Sequence, residues 1–377
     1  MRIQIDGTNT INKGAELMLY AVLEQIEQKY PKAEVLFNTY NGKTSEIKTN
    51  LDLKKRFLLR FSDYPDTIFQ KLGMPQLILS TFFPEKNIDV VFDASGFRFG
   101  DQWNHSNEYL DRQENYFKSL KEEGTKIFLL PQAFGPFNTK SGKRSADILD
   151  KYADHIFARE QDSYNYLIGS GVTEEKVSVC TDFTNIVSGE DSNDILGQVC
   201  IIPNKKMISK TNIEITNYIK FIDNIIDRLH NQNLKAYLLN HEGKGDLEIC
   251  NLIQKISKHE VKIINNEDAK TIKGIIGKSY AVISSRFHGV ASSLSQNVPC
   301  LATSWSHKYQ MLFKDYELSD YLIDVSADEE YLDKMLEKII DKNCNAELRA
   351  HLEVKSQILK NDVNEMWNLI WARVSTN

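Results

Sequence analysis

Residues 1–37, MRIQIDGTNTINKGAELMLYAVLEQIEQKYPKAEVLF, alternate polar and apolar side chains over 2–6 and then run through a polar loop at 7–14. Leu19, Leu23 and Ile26 follow at helical spacing before Tyr30-Pro31, and residues 33–37 return to an apolar strand pattern. Strand, loop, helix and strand in this order form a βαβ unit, whose two strands lie parallel because the helix carries the chain back to the same edge.

The same order recurs along the chain. Residues 89–93 (DVVFD) and 126–130 (KIFLL) read as strands separated by a helical pattern over 108–122, and 155–158 (HIFA) precedes a helix over 164–168 that Gly171 closes. The polar run 188–194 (SGEDSND) reads as a linker. Beyond it, strands at 198–202, 234–239, 280–284 and 298–303 alternate with helices at 214–231 and 246–258. A long helical pattern over 346–374, holding Trp367 and Trp371, follows. The expected architecture is α/β, with an N-terminal lobe of residues 1–190, a C-terminal lobe of residues 195–345, and residues 346–377 as a helix packing back across both. Two such lobes, each a parallel sheet covered on both faces, are expected to face a central cleft, with ligands beyond the carboxyl ends of the strands.

Composition bounds the function. The 377 residues carry a net charge of −6 and are 41% hydrophobic, as expected of two ordinary globular domains with real cores. Mild acidity argues against a nucleic-acid binder, which needs a basic face, but leaves room for a small anion held by a few local cations. The five cysteines, Cys180, Cys200, Cys250, Cys300 and Cys344, form no CxxC pair, so neither a zinc ribbon nor a disulfide framework is expected. The first residues lack the apolar core of a signal peptide, and no apolar run approaches the ~18 residues of a membrane span. The cytoplasm is therefore the expected compartment.

The most informative chemistry lies in 281–289 (AVISSRFHG) and 298–308 (VPCLATSWSHK). A strand ends at Ser284 and a helix is expected near Gly289, which puts Ser285, Arg286 and His288 on the loop at the strand's carboxyl end. An Arg fork beside helix amides suits phosphate or carboxylate, and His288 titrates near neutrality. The next strand delivers His307 and Lys308. Taken alone, an R-x-H triplet is more often an ion pair and a helix-start hydrogen bond; the two neighbouring loops favour the functional reading. In the first loop, Asn9, Asn12 and Gly14 can present amides to a hydroxylated or anionic ligand, or simply cap the helix. That loop is neither GxGxxG nor GxxxxGK[ST], so dinucleotide and Walker readings are unsupported. Small residues after two other strands, in 93–99 (DASGFRF) and 131–136 (PQAFGP), suit close backbone approach or tight turns. His241-Glu242 is a second acid/base candidate but makes no zinc site without HExxH, and Asn204-Lys205-Lys206 reads as a loop with a solvated lysine pair.

Together these residues resemble the polysaccharide pyruvyl transferase family. The elements are Gly7-Thr8-Asn9-x-x-Asn12-x-Gly14, Asp93-x-x-Gly96, Gln132-x-x-Gly135-Pro136, Ala158-Arg159-Glu160 with Ser163, Gly171-Val172, Asp182, Ile202-Pro203-Asn204, His241, Ser285-Arg286-x-His288-Gly289, and Val298-Pro299 with Lys308. They occur in family order from residue 7 to 308, and S-R-x-H-G followed by the Val-Pro strand and Lys is the specific part. The resemblance implies a fold similar to two-lobed GT-B glycosyltransferases. It also implies transfer of pyruvate from phosphoenolpyruvate onto a sugar as a ketal, in cell-surface polysaccharide synthesis. Two departures fall in the first lobe: Gly14-Ala15-Glu16 displaces an acidic residue by one position, and Ala94-Ser95-Gly96 replaces a glycine run.

Under that resemblance, Arg286, Lys308 and amides near Gly289, with Ser285, His307, His241 and Asn204 around them, take the donor's phosphate and carboxylate. His288 is the general acid/base. Asn9, Asn12 and Glu16 fall on the acceptor side, where a lipid-linked or nucleotide-linked saccharide is expected. No metal or cofactor is required. The alternatives are a GT-B-type nucleotide-sugar glycosyltransferase with the diphosphate on Arg286 and Lys308, and a non-catalytic carbohydrate-binding protein.

One segment fits the alternation poorly. Residues 56–83 are rich in Leu, Phe, Ile and Tyr, with Arg56, Arg60 and Lys71 among them. The plain reading is a pair of covering helices; the functional one is a surface that meets the inner face of a membrane carrying a lipid-linked substrate. The membrane reading predicts liposome co-sedimentation that is lost when 56–83 is deleted, and equal sedimentation with and without the segment rejects it.

Overall fold

The computed structural model describes residues 1–38, 47–56, 87–190, 196–265, 268–305 and 308–375, with the backbone alone at 38, 55 and 56. The chain divides into two compact units. The first comprises Met1–Ile11, Met18–Phe183 and Val363–Asn377, and the second Asn12–Leu17 and Thr184–Asp362.

In chain order the first unit contains strand β1 (Arg2–Asp6), helix α1 (Lys13–Lys29), β2 (Glu34–Asn38), β3 (Asp52–Arg56), β4 (Val90–Asp93) and β5 (Phe97–Phe99). Then come α2 (Asn107–Glu122), β6 (Lys126–Phe134), α3 (Lys140–Tyr152), β7 (His155–Ala158), α4 (Gln161–Gly169) and β8 (Val177–Val179). Its sheet runs β3-β2-β1-β4-β6-β7-β8, with β5 beside the end of β6. All of these pairs are parallel, with Ile3 opposite both Val35 and Val90.

The second unit contains β9 (Val199–Ile202), the short α5 (Lys206–Ser209), α6 (Ile215–Asn231), β10 (Ala236–Asn240), α7 (Gly243–Ile256), β11 (Lys262–Asn265) and α8 (Ala269–Gly277). It continues with β12 (Ala281–Ser284), α9 (Phe287–Leu294), β13 (Cys300–Ala302), α10 (Lys308–Asp315) and α11 (Glu329–Ile340). The last helix, α12 (Lys342–Ser375), belongs to this unit as far as Asp362 and to the first from Val363. The sheet order is β11-β10-β9-β12-β13, again all parallel. In both sheets the first strand is central and the order reverses beside it, at β1/β4 and at β9/β12. This is the Rossmann-like winding whose switch point gathers the loops from strand carboxyl ends.

The physical causes are local. Strands β4, β9 and β12 are buried at every position, which explains their near-continuous apolar runs. Helix α6 buries Tyr218, Phe221, Ile222, Ile225, Ile226 and Leu229, one apolar stripe at 3–4-residue spacing. Side-chain caps start the helices: Ser106 accepts from the Tyr109 amide, Thr139 from that of Gly142, and Asp268 from that of Thr271.

The α/β class and the two Rossmann-like units agree with the sequence reading, while three boundaries need correction. Residues 188–190 are no free linker. The Glu190 amide donates to the Lys270 carbonyl at 3.0 Å, and a Cβ on Gly189 would lie 2.4 Å from the Gly274 nitrogen, so this stretch is docked on α8. The first turn of α1 groups with the second unit rather than with residues 1–190. The final helix begins at Lys342, because the Asp341 side chain accepts from the Asn343 and Cys344 amides. The rest of the expected linker, and residues 57–83 of the apolar segment, lie outside the described residues. Among the described helices, none is long and apolar enough to cross a membrane.

The last turns of α12 are held in the first unit by aromatic packing. Phe92 meets Trp367 at 5.5 Å and Trp371 at 5.6 Å, both edge-on, and the two indoles stack at 5.3 Å. Trp367 is 1% exposed. Removing so large a buried ring costs about 3–5 kcal/mol, so urea unfolding of Trp367→Ala is expected to show a loss of that order; a loss below about 1 kcal/mol would place the helix's anchor elsewhere.

Candidate functional site

In the second unit, the loops leaving β9, β10, β12 and β13 share the carboxyl edge of the sheet, on both sides of the β9/β12 switch point. The turn after β12 is closed by Ser284, whose Oγ accepts from the Arg286 amide at 3.0 Å and donates to the Arg286 carbonyl. That early turn starts α9 at Phe287, two residues ahead of the expected position, with Arg286 at the cap and His288 in the first turn.

Arg286 is 11% exposed and lies between two carboxylates. Its Nε and Nη2 each approach Asp246 Oδ2 at 2.6 Å, and its Nη1 donates to Glu242 Oε2. Burial alone would lower the guanidinium's pKa, but Asp246 and Glu242 outweigh it and hold the charge firmly. The second oxygen of each carboxylate ties in another segment. Asp246 Oδ1 accepts from the Lys205 amide at 3.0 Å, and Glu242 Oε1 accepts from Asn12 Nδ2 at 3.1 Å. Asn12 Oδ1 in turn caps α1 by accepting from the Gly14 and Ala15 amides. A Cβ on Gly14 would stand 2.1 Å from His288 Nδ1, so only glycine lets this turn approach the imidazole.

Around this framework Asn12, Gly14, Asn204, Lys206, His241, Glu242, Arg286, Phe287, His288, Trp305, Lys308 and Tyr309 line a cavity of about 90 Å³. Lys206 Nζ and Lys308 Nζ each lie 5.1 Å from the centre of the Trp305 ring, and Lys308 also lies 4.8 Å from that of Phe287. These are cation–π distances. His241 is 3% exposed, and neither of its ring nitrogens has a hydrogen-bond partner among the described residues. Burial first, then the charges of Arg286, His288 and Lys13, hold its pKa well below the ordinary histidine value.

Several expected site residues meet here: Asn12, Asn204, His241, Arg286, His288 and Lys308. Others stand behind the wall. Ser285 is 2% exposed in a hydroxyl chain, its Oγ 2.6 Å from both Tyr218 OH and Thr303 Oγ1. Asn204 ties the β9 loop to the Ser285 carbonyl at 2.8 Å and to the Lys206 amide at 2.9 Å. Gly289 packs where a Cβ would sit 2.5 Å from Ser284 Oγ and 2.9 Å from Ile202. Glu16 is buried and paired with Lys13 at 2.7 Å; burial raises its pKa, and Lys13 only partly opposes that. Asn9 belongs to the first unit, where its Oδ1 accepts from the Ile11 amide at 3.0 Å. His307 lies outside the described residues.

The sequence reading missed Trp305, Tyr309, Asp246 and the role of Lys206. Lys205 is the solvated residue expected, pairing with Glu248 at 3.1 Å while about half exposed, whereas Lys206 turns over Trp305. The spacing of Glu242 and Asp246, four apart across the start of a helix, was the one available signal for a carboxylate pair facing a single cation. Among the described residues no cluster of three His, Cys, Asp or Glu side chains is arranged to hold a metal. In the first unit, the turn 93–98 closes on itself: Asp93 accepts from the Ser95 amide at 3.0 Å and from Arg98 Nη1 at 3.1 Å.

A family model described as polysaccharide pyruvyl transferase matches residues 12–307. A search of curated proteins finds none that matches. Among solved structures, a putative UDP-N-acetylglucosamine 2-epimerase from Listeria monocytogenes superposes with a TM-score of 0.62 at 13% identity, covering 100% of this chain and 97% of its own. A UDP-GlcNAc 2-epimerase from Neisseria meningitidis, bound to UDP-GlcNAc, gives 0.58 at 11% identity over 99% and 100%. The lipopolysaccharide outer core galactosyltransferase WaaB gives 0.51 at 13% identity over 99% and 100%. At such identities the likeness is one of fold: two Rossmann-like units, as in GT-B glycosyltransferases and these epimerases.

The Arg286 cluster makes a stability prediction. Breaking a buried charge pair costs about 3–5 kcal/mol, so Asp246→Asn, which leaves the guanidinium short of one carboxylate, is expected to lower the urea-unfolding free energy by that order. An unchanged midpoint and slope would show that Asp246 does not hold Arg286.

Proposed function

This chain belongs to the polysaccharide pyruvyl transferase family, and we propose that it transfers pyruvate from phosphoenolpyruvate to two hydroxyls of a saccharide, forming a pyruvate ketal. The observation that carries the proposal is the pocket at the β9/β12 switch point, where Lys206 and Lys308 bracket Trp305 beside His288 and His241. Two ammonium groups offer point charges to the phosphate and carboxylate of a small dianion or trianion.

The reaction adds a proton to the methylene carbon of the enol phosphate, making the adjacent carbon electrophilic. One sugar hydroxyl adds to that carbon, the C–O bond to phosphate breaks and inorganic phosphate leaves, and the second hydroxyl adds to the oxocarbenium ion so formed. The two hydroxyl protons balance the one gained by the methyl group and the one carried off by phosphate or solvent. His288 is the group proposed to move these protons, positioned by Gly14 and the first turn of α9. Because Arg286 already satisfies Glu242 and Asp246, its proposed part is to hold the pocket's shape and add positive potential, while the lysines bind. The acceptor is a lipid-linked or nucleotide-linked saccharide.

The second reading, a nucleotide-sugar glycosyltransferase, draws on the fold shared with WaaB. Phosphate release that requires both phosphoenolpyruvate and a saccharide, with product mass increased by one pyruvate ketal, supports the first reading; transfer from a sugar nucleotide alone supports the second. In the same assay His288→Ala is expected to lower kcat about 10²–10⁴-fold with little change in KM. Lys206→Ala is expected to raise KM for phosphoenolpyruvate about 10–100-fold, the equivalent of a charge-assisted contact of about 1.5–3 kcal/mol. Wild-type turnover by His288→Ala removes it from the chemistry.

A further inference from the structure

We infer that His241 takes up a proton when a dianionic ligand enters the pocket, so that the donor's arrival recharges the site. The inference rests on the anion-binding reading above and goes beyond it by naming the group whose protonation is coupled to binding.

The geometry points to this side chain. His241 directly follows β10 at the carboxyl edge of the sheet and lines the cavity, yet it is nine-tenths buried and both ring nitrogens stand without a partner among the described residues. A neutral imidazole in that setting wastes one donor and one acceptor. Burial and the charged groups around it explain why it stays neutral. Arg286 and His288 reach it from α9, and Lys13 from α1, with Lys13 tied to Glu16. Lys206 of α5 and Lys308 of α10 line the same cavity. Glu242 and Asp246, at the start of α7, are ion-paired with Arg286 and offset its charge, as Glu16 does that of Lys13, so burial remains the first cause of the neutral ring. Without ligand, burial first and then Arg286, His288 and Lys13 keep the ring neutral.

A bound dianion reverses the balance. Its oxygens accept from a ring N–H, and its charge favours the imidazolium. The folded, ligand-free histidine has its pKa depressed, so it is neutral at neutral pH and above. The ligand raises that pKa, and between the free and bound values the complex holds one more proton than the free protein. Above the bound value the uptake fades.

Isothermal titration of the full chain with phosphoenolpyruvate tests this near pH 7.5, where a phosphate monoester with its second ionisation near ~6 is already dianionic and contributes little. The titration is run in buffers of different ionisation enthalpy. The observed enthalpy is expected to rise with buffer ionisation enthalpy, with a positive slope of at most one proton per site. His241→Asn is expected to flatten the slope and His288→Asn to keep it. A flat line in the wild type overturns the inference, as does a slope that survives in His241→Asn. Should either variant misfold, the ring resonances of labelled histidine in the wild type give the same readout: one buried histidine moves from neutral to imidazolium shifts on addition of phosphoenolpyruvate, and no such movement overturns the inference. If phosphoenolpyruvate fails to bind while UDP binds with the same slope, the donor reading falls and the role of His241 stands. If phosphoenolpyruvate binds with no proton uptake, the donor reading stands and His241 loses its role.

Discussion

A buried guanidinium must be paired or it destabilises whatever encloses it, and the second unit is built around that constraint. Arg286 accepts the cost of burial only because Asp246 and Glu242 face it. Each carboxylate has a second oxygen, and each spends it on a different part of the chain: Asp246 on the Lys205 amide after β9, Glu242 on Asn12 at the head of α1. One ion cluster therefore fixes the loops after β9, β10 and β12 and the first turn of α1. The path of α1's first turn follows from it, and so does the need for glycine at position 14, where the turn meets His288. An arginine that looks from its sequence setting like a ligand for substrate anions is first of all the keystone of the pocket that would receive them.

The same pairing shapes the electrostatics. The net charge of −6 describes the whole chain, but a ligand in the pocket responds to charges within a few ångströms, over which solvent screening is weak. There the carboxylates are committed to Arg286 and Lys13, while two ammonium groups lie against the ring of Trp305. The indole draws the two together by its chemistry. It attracts both lysines through its electron-rich face and offers no competing anion. Phe287 contributes in the same way to Lys308.

Much of this was legible in the sequence, and the reasons are physical. Strands buried on both faces must be apolar throughout, so β4, β9 and β12 stand out, and a loop leaving such a strand in a parallel sheet must lie at its carboxyl end. That logic is enough to pick out Arg286, His288 and Lys308. Contacts across long sequence separation are different. Asn12 and Glu16 follow β1 and read with the first lobe, yet both group with the second unit, Asn12 through a hydrogen bond to a residue 230 positions away. Lys205 and Lys206 are neighbours of identical chemistry with opposite fates, one paired with Glu248 in solvent and the other over Trp305, and no local pattern separates them. The three-residue strands β5 and β8 lie below the length at which alternation can be recognised.

The comparison with solved structures sharpens the division of labour between fold and site. Proteins that share this winding include epimerases and a galactosyltransferase, at identities too low to carry chemistry across. A switch point guarantees a set of converging loops; it does not say what they hold. In this chain the loops bring two histidines within electrostatic reach of each other and of Arg286. His288, with Arg286 and Lys13, disfavours protonation of the buried His241. Relief of that pressure by an incoming anion is what the proposed proton uptake by His241 requires. The fold leaves the donor open, and the proposed donor chemistry rests on the side chains these loops carry, lysines and histidines together.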